Sequence, residues 1–210
     1  MADSQRLPVV ETFHSLQGEG HHAGRSAFFI RLAGCNVGCS WCDTKHSWPA
    51  DQHPSVALET LAQHALNAQN RGAAFVVITG GEPLHHDICP LTQVLDHLVD
   101  LPIHLETSGV DPLSGRFDWI TGSPKRHHPP RPDLLQACHE LKVVVHGPED
   151  ISFAAAMEAQ CQKVTQRLLQ PGWESTTGEQ LAIQHVREHA QWRLSMQSHK
   201  WLGIRGNDSQ

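Results

Sequence analysis

Ala27-Phe28-Phe29-Ile30-Arg31-Leu32-Ala33-Gly34-Cys35-Asn36-Val37-Gly38-Cys39-Ser40-Trp41-Cys42-Asp43-Thr44 joins a short apolar run to a loop that carries three cysteines. The run Ala27–Leu32 reads as a strand buried on both faces. Cys35, Cys39 and Cys42 then follow in C-x3-C-x2-C spacing, close enough to converge on one metal centre. A closed structural zinc site takes four protein ligands. An iron–sulfur cluster held all round by cysteine also takes four. Three thiols therefore point to a cluster with one iron left open for chemistry. The competing reading of the loop alone is a zinc knuckle completed by one of the 17 histidines.

Working outward, the same pattern recurs. Further strand candidates are Phe75–Thr79, Ile103–Glu106, Phe117–Thr121, Leu141–Val145, Arg167–Gln170 and Arg193–Met196. Leu58, Leu61, Ala62 and Ala65 recur at helical spacing, as do Leu91, Leu95 and Leu98. Thr177 with Gln180 makes a capping box ahead of a helix over Leu181–Ala190. Short apolar strands alternating with helices predict a mostly parallel α/β sheet with helices outside. Each strand candidate runs into a polar or glycine-bearing segment: the cysteine loop, Gly80-Gly81-Glu82-Pro83, Thr107-Ser108-Gly109, Ser123-Pro124-Lys125, His146-Gly147-Pro148, Pro171-Gly172-Trp173 and Gln197-Ser198-His199-Lys200. Ligands of parallel α/β folds sit at the carboxyl edge of the strands. The expected architecture is an incomplete TIM-like barrel of about six parallel strands, with these segments on one rim.

At 210 residues the chain suits one domain over 1–210, with Gly206–Gln210 as a frayed polar tail. Sixteen basic against 22 acidic residues give a net charge of -6, which argues against nucleic-acid or membrane-surface binding. No apolar run is long enough to span a bilayer, and Met1–Arg6 lacks a signal-peptide pattern, so a cytoplasmic protein with reduced thiols is expected. Cys89, Cys138 and Cys161 read as small buried apolar residues. The doublets His21-His22, His85-His86 and His127-His128 read mostly as solvated surface groups.

The cysteine loop followed by a strand and Gly80-Gly81-Glu82-Pro83 resembles the radical S-adenosylmethionine (SAM) superfamily. Within it, Glu11-Thr12-Phe13-His14-Ser15-Leu16-Gln17-Gly18-Glu19-Gly20, Arg31-Leu32-Ala33-Gly34-Cys35-Asn36, Cys42-Asp43-Thr44-Lys45-His46, Glu106-Thr107-Ser108-Gly109, Ser123-Pro124-Lys125 and Arg193–Lys200 resemble the 7-carboxy-7-deazaguanine synthases, over nearly the whole chain from Val10 to Ile204. That resemblance implies a [4Fe-4S] cluster on Cys35, Cys39 and Cys42, with SAM chelated by the open iron. It implies one-electron cleavage of SAM to a 5′-deoxyadenosyl radical. It also implies conversion of 6-carboxy-5,6,7,8-tetrahydropterin to 7-carboxy-7-deazaguanine with loss of ammonia, in queuosine biosynthesis. The cofactor supplies the hard chemistry and the protein places it.

Residue roles follow by motif match. Leu16, Gln17 and Gly18 would contact the pterin, and Glu19 would accept from its guanidine-like edge. Arg31 would grip the substrate carboxylate bidentately, and Thr79 would touch substrate at its strand end. Thr44 would ligate Mg²⁺ through its hydroxyl, a cation that prefers oxygen ligands and keeps several waters. Trp41, Asp43, Gly81, Ser123, Pro124, Lys125 and Gln170 would contact SAM. Glu106 has a weaker claim at the rim, and Gln197, His199 and Lys200 would close the site. A reductant such as flavodoxin or ferredoxin and a homodimer are implied partners, with neither nucleic acid nor membrane. The chain has the short cysteine spacing, extends past Arg205 where some relatives end, and carries an unusual Gly172-Trp173-Glu174-Ser175. The runner-up activity is another radical SAM reaction, such as activation of a glycyl-radical enzyme. The non-enzymatic alternative is a zinc-binding interaction module.

Overall fold

The computed structural model describes residues 5–204, so the tail Gly206–Gln210 lies outside the described residues. One nine-stranded sheet organises the chain, in the order β3-β1-β2-β4-β5-β6-β7-β8-β9. The strands are β1 (Arg6–Leu16), β2 (Ser26–Leu32), β3 (Ser55–Ala57), β4 (Val76–Gly80), β5 (Ile103–Thr107), β6 (Trp119–Gly122), β7 (Glu140–Val145), β8 (Gln166–Pro171) and β9 (Trp192–Leu194). From β2 to β9 every pairing is parallel, which makes seven parallel strands, in line with the expected incomplete barrel. β1 and β3 extend the sheet antiparallel from the β2 edge. β3 and β9 do not pair, so the barrel is incomplete.

β1 and β3 were not expected as strands. β1 carries Pro8, a register shift between Val9 and Glu11, and polar Glu11, Thr12 and His14, which hide its period of two. Two expected ends move. β6 starts at Trp119 because Asp118 turns its side chain and its N–H onto the Ile103 backbone, both at 2.8 Å. β9 stops at Leu194, and only the Ser195 N–H still bonds Leu169, at 2.9 Å.

The helices are α1 (Leu58–Gln69), α2 (Cys89–Leu98), α3 (Pro132–Ala137), α4 (Pro148–Glu158), α5 (Thr176–Glu188) and α6 (Ser198–Trp201). Leu58, Leu61, Ala62 and Ala65 of α1, with Leu91 and Leu95 of α2, are buried against the outer sheet face, whereas Leu98 stays 38% exposed at the end of α2. The cap of α5 lies two residues before the expected one. The Ser175 hydroxyl accepts from the Gly178 N–H at 3.1 Å, and Thr177 and Gln180 sit inside the helix.

Alternation along the strands divides the sheet. Phe28, Ile30, Leu32, Val76 and Ile78 face the helices, and Leu141, Val143 and Val145 do so further along. Phe29, Val77, Phe13 and Phe75 fill the foot of the concave face. Above them the same alternation places Arg31, Thr79, Glu106, Lys142 and Gln170 around a central cavity.

Candidate active site

The cavity has a volume of about 670 Å³ and lies at the carboxyl ends of the parallel strands. Cys35, Cys39 and Cys42 all reach it as free thiols. So do Leu16, Gln17, Gly18 and Glu19 from the end of β1, and Arg31, Thr79 and Gln170 from the sheet. Trp41, Asp43, Thr44, Gly81, Ser123 and Lys125 line the same cavity, while Pro124 is buried and does not reach it. Glu106, Gln197, His199 and Lys200 complete the lining.

The cysteine loop is fixed by the turn that follows β4. Gly81 N–H bonds Leu32 O at 3.0 Å and Glu82 N–H bonds Gly34 O at 2.9 Å. A Cβ on Gly81 would lie 2.5 Å from Gly34 O, so only glycine permits this approach. The Glu82 carboxylate, 1% exposed, accepts from Leu84 N–H at 3.1 Å, Thr107 hydroxyl at 2.5 Å and Ser108 N–H at 2.8 Å, and from the Ser108 hydroxyl. It locks this turn to the end of β5.

His85 and His86, expected as solvated surface groups, are half-buried and hydrogen-bonded to the protein. His86 Nε2 bonds Ala33 O at 2.7 Å, and His85 Nε2 accepts from the Asn36 N–H at 3.1 Å while its Nδ1 meets Asp111. The pair thus clamps both flanks of Cys35. His22 is also covered, by Phe75, His104 and Trp119 at the foot of the sheet. His21, His127 and His128 are exposed, although His127 Nε2 still reaches Val37 O at 3.0 Å.

These bonds bear on what the thiols hold. Cys35 receives the Val37 and Gly38 N–H groups, and burial raises its thiol and that of Cys39. Among the described residues no three His, Cys, Asp or Glu side chains close around a single ion. His85, His86 and His127, the histidines bonded to the loop and its flanks, are committed to backbone atoms and to Asp111 rather than turned toward the thiols. Three thiols ringing a common cavity fit a cluster with one iron free of protein.

Opposite the thiols stands a charged network that the sequence did not reveal. Lys142, 4% exposed, donates to Glu19 at 2.5 Å. Glu19 also accepts from Gln170 at 3.1 Å and Gln197 at 2.9 Å. Burial acts to raise the Glu19 carboxyl, but Lys142 and the two amides overcome it and hold the group at about 2. Burial disfavours the Lys142 ammonium in turn, yet Glu19, Glu106 and Glu140 keep it above the usual lysine range. Burial lifts Glu140, whose Oε2 accepts the His21 N–H at 2.9 Å. Glu106 accepts from Gln17 at 2.8 Å and Thr79 at 3.3 Å, which ties the expected pterin contacts together.

Arg31 donates through Nε to Glu11 at 2.9 Å and still lines the cavity. Thr44 precedes a 3₁₀ turn over Lys45–Ser47 without capping it through its side chain, and its Oγ1 lies 3.6 Å from Cys42 Sγ. Asp43 pairs with Lys200 at 2.7 Å. Lys125 donates to Ser123 O and Oγ, both at 2.7 Å, and sits 5.3 Å from the Trp41 ring centre. The last segment folds back on the first: Ser198 bonds Gly18 O through N–H and hydroxyl, both at 2.9 Å. A Cβ on Gly18 would lie 2.1 Å from His199 Nδ1.

A three-thiol loop at the carboxyl rim of an open, mostly parallel α/β sheet defines a radical SAM protein, and residues 29–147 match the model of the Radical SAM superfamily. The chain is 51% identical to the 7-carboxy-7-deazaguanine synthase of Prochlorococcus marinus, over 94% of this chain and 98% of that one. Its identity to the enzyme of the same name from Synechocystis is 47%, over 94% and 93% of the two chains. The crystal structure of QueE from Escherichia coli superposes with a TM-score of 0.81 at 34% identity, covering 92% of this chain and 95% of that one. The chain belongs to the 7-carboxy-7-deazaguanine synthase family.

Proposed function

We propose that this chain converts 6-carboxy-5,6,7,8-tetrahydropterin to 7-carboxy-7-deazaguanine with release of ammonia, feeding 7-deazapurine and queuosine biosynthesis. The observation that carries the reading is the meeting, in one cavity, of the three-thiol loop with the Leu16–Glu19 segment. A catalyst that acts on a free heterocycle needs both in contact range. Cys35, Cys39 and Cys42 hold the [4Fe-4S] cluster. With SAM bound, the cluster supplies one-electron cleavage and a radical that abstracts hydrogen.

The chain's own residues bind and orient. Gly81, Trp41, Asp43, Ser123, Lys125 and Gln170 cradle SAM, with Pro124 shaping the turn from behind. Leu16, Gln17, Gly18 and Thr79 hold the pterin, Glu19 stays ionised to accept its N–H groups, and Arg31 takes its carboxylate. The Thr44 hydroxyl, free of capping duty, offers one oxygen to Mg²⁺. Ser198 and His199 close the cavity against Gly18 and exclude water. The working unit is a homodimer that draws electrons from a flavodoxin- or ferredoxin-type reductant and acts on the free pterin, not on RNA, in keeping with the net charge of -6. Among the described residues no helix is long and apolar enough to cross a membrane.

The test is anaerobic incubation with the carboxytetrahydropterin, SAM, Mg²⁺ and a reductant. Product of the mass of 7-carboxy-7-deazaguanine is expected. SAM cleavage without consumption of the pterin would leave a radical SAM protein of another specificity.

A further inference from the structure

Cys138 and Cys161 take no part in the cavity, yet their sulfurs lie 4.0 Å apart. They come from separate segments, Cys138 at the end of α3 and Cys161 just past α4, 23 residues further on. Only Cys138 is buried as expected; Cys161 and Cys89 are partly exposed. Reciprocal amide bonds hold the two segments together: Gln136 donates to Gln160 O, and Gln162 donates to Gln136 O at 2.5 Å. The Thr165 hydroxyl adds a third tie, to Cys138 O at 3.0 Å. The two thiols are therefore neighbours by construction of the backbone, not by chance overlap of flexible side chains.

We propose that Cys161 and Cys138 form a thiol–disulfide modification site, with Cys161 as the attacking and Cys138 as the resolving sulfur. Exposure sets the order: Cys161 can meet a reagent, while Cys138 at 4% exposure cannot. The contact with the Cys138 sulfur, with Arg167 nearby, favours the Cys161 thiolate against burial and the Glu158 carboxylate. The oxidant is a low-molecular-weight disulfide. The Cys161 thiolate attacks its S–S bond, which forms a mixed disulfide and expels one thiolate. The Cys138 sulfur then attacks Cys161 and expels the second thiolate, which takes up the Cys138 proton. The protein pair loses two electrons and the small disulfide becomes two thiols. The new bond ties the α3 and α4 exits together beside Glu140, where β7 begins.

The experiment exposes reduced, cluster-loaded enzyme to oxidised glutathione under argon, then alkylates with N-ethylmaleimide in denaturant and maps the peptides. The expected result is a Cys138–Cys161 cross-linked peptide, loss of two alkylatable thiols and unchanged iron content. Cys138→Ala should accumulate glutathione on Cys161, whereas Cys161→Ala should leave Cys138 unmodified. A wild-type protein that keeps glutathione on Cys161 without closing the bond, or that modifies Cys138 in the Cys161→Ala variant, would overturn the assignment. So would alkylation of both thiols at every ratio of oxidised to reduced glutathione.

Discussion

Replacing Lys142 by methionine removes a buried cation and strands the carboxylate beside it. Glu19 titrates at about 2 instead of its ordinary 4.5. At roughly 1.4 kcal/mol per pH unit that difference is worth about 3 kcal/mol. The side chains of the pair are only 6% and 19% exposed, so solvent screens little of it. Breaking a buried pair from one side costs about 3–5 kcal/mol, and Lys142→Met should lose that much at pH 7. Adding Glu19→Gln should recover about 3 kcal/mol, because the orphaned charge is gone. The pH dependence has a definite sign. In the wild type the Glu19 contribution is present above 4.5 and is lost as pH falls toward 2. In Lys142→Met only the two amides still oppose burial and the Glu19 carboxyl moves up from about 2, so the gap to wild type is full at pH 7 and narrows in acid. Glu140, which burial already lifts, faces the same lysine and acts in the same direction. Urea unfolding of cluster-free protein at pH 7 and pH 4, followed by tryptophan fluorescence, reads both effects. Strictly additive single variants, or a gap between wild type and Lys142→Met that widens in acid, would refute the reasoning.

Four further outcomes are expected. Cys35→Ala, Cys39→Ala and Cys42→Ala should each abolish reductive SAM cleavage, measured as 5′-deoxyadenosine, and lower bound iron. Thr44→Ala should slow turnover and blunt its Mg²⁺ dependence with the cluster spectrum intact; an unaltered Mg²⁺ response removes Thr44 from the metal site. His85→Phe frees the Asn36 N–H, a loss of about 1 kcal/mol, so hydrogen exchange across the cysteine loop should quicken about fivefold and the cluster potential should move. Gly18→Ala drives a methyl into His199, and a displaced closing segment should cost about 100-fold in kcat/KM for the pterin while SAM binding by calorimetry stays unchanged.

The fold was legible where one signal dominated. β2, β4 and β7 are largely buried on both faces, and their near-continuous apolar runs announce it. β1 failed that test because it is an antiparallel margin with Pro8, a bulge and a polar outer face. β3, three residues long, carries too little pattern to be seen. The α5 cap was misplaced for a related reason. Thr177-x-x-Gln180 has the right letters, but Ser175 is the residue whose extended backbone turns its hydroxyl onto Gly178.

The site divides in the same way. The residues read from sequence lie on loops and strand ends, where chemistry is concentrated in short motifs: Leu16–Glu19, the cysteine loop, Gly81 and Ser123–Lys125. What escaped were groups whose meaning depends on what stands across the cavity. Lys142 sits in Glu140-Leu141-Lys142-Val143-Val144-Val145, where one cation in an apolar strand looks like an interruption. Its phase held the signal. Leu141, Val143 and Val145 face the helices, so Lys142 must face inward, and an inward lysine at 4% exposure needs a carboxylate. Nothing in the linear order says that this carboxylate is Glu19, 123 residues earlier, nor that Gln170 and Gln197 share it. His85 and His86 were misread on the same account. Polar neighbours in sequence suggested solvent, while the turn after β4 delivers both rings to the backbone of the cysteine loop. A motif names the atoms that meet the ligand. The groups that hold those atoms still are chosen by the sheet, through alternation and register, and become visible only once the strands are in place.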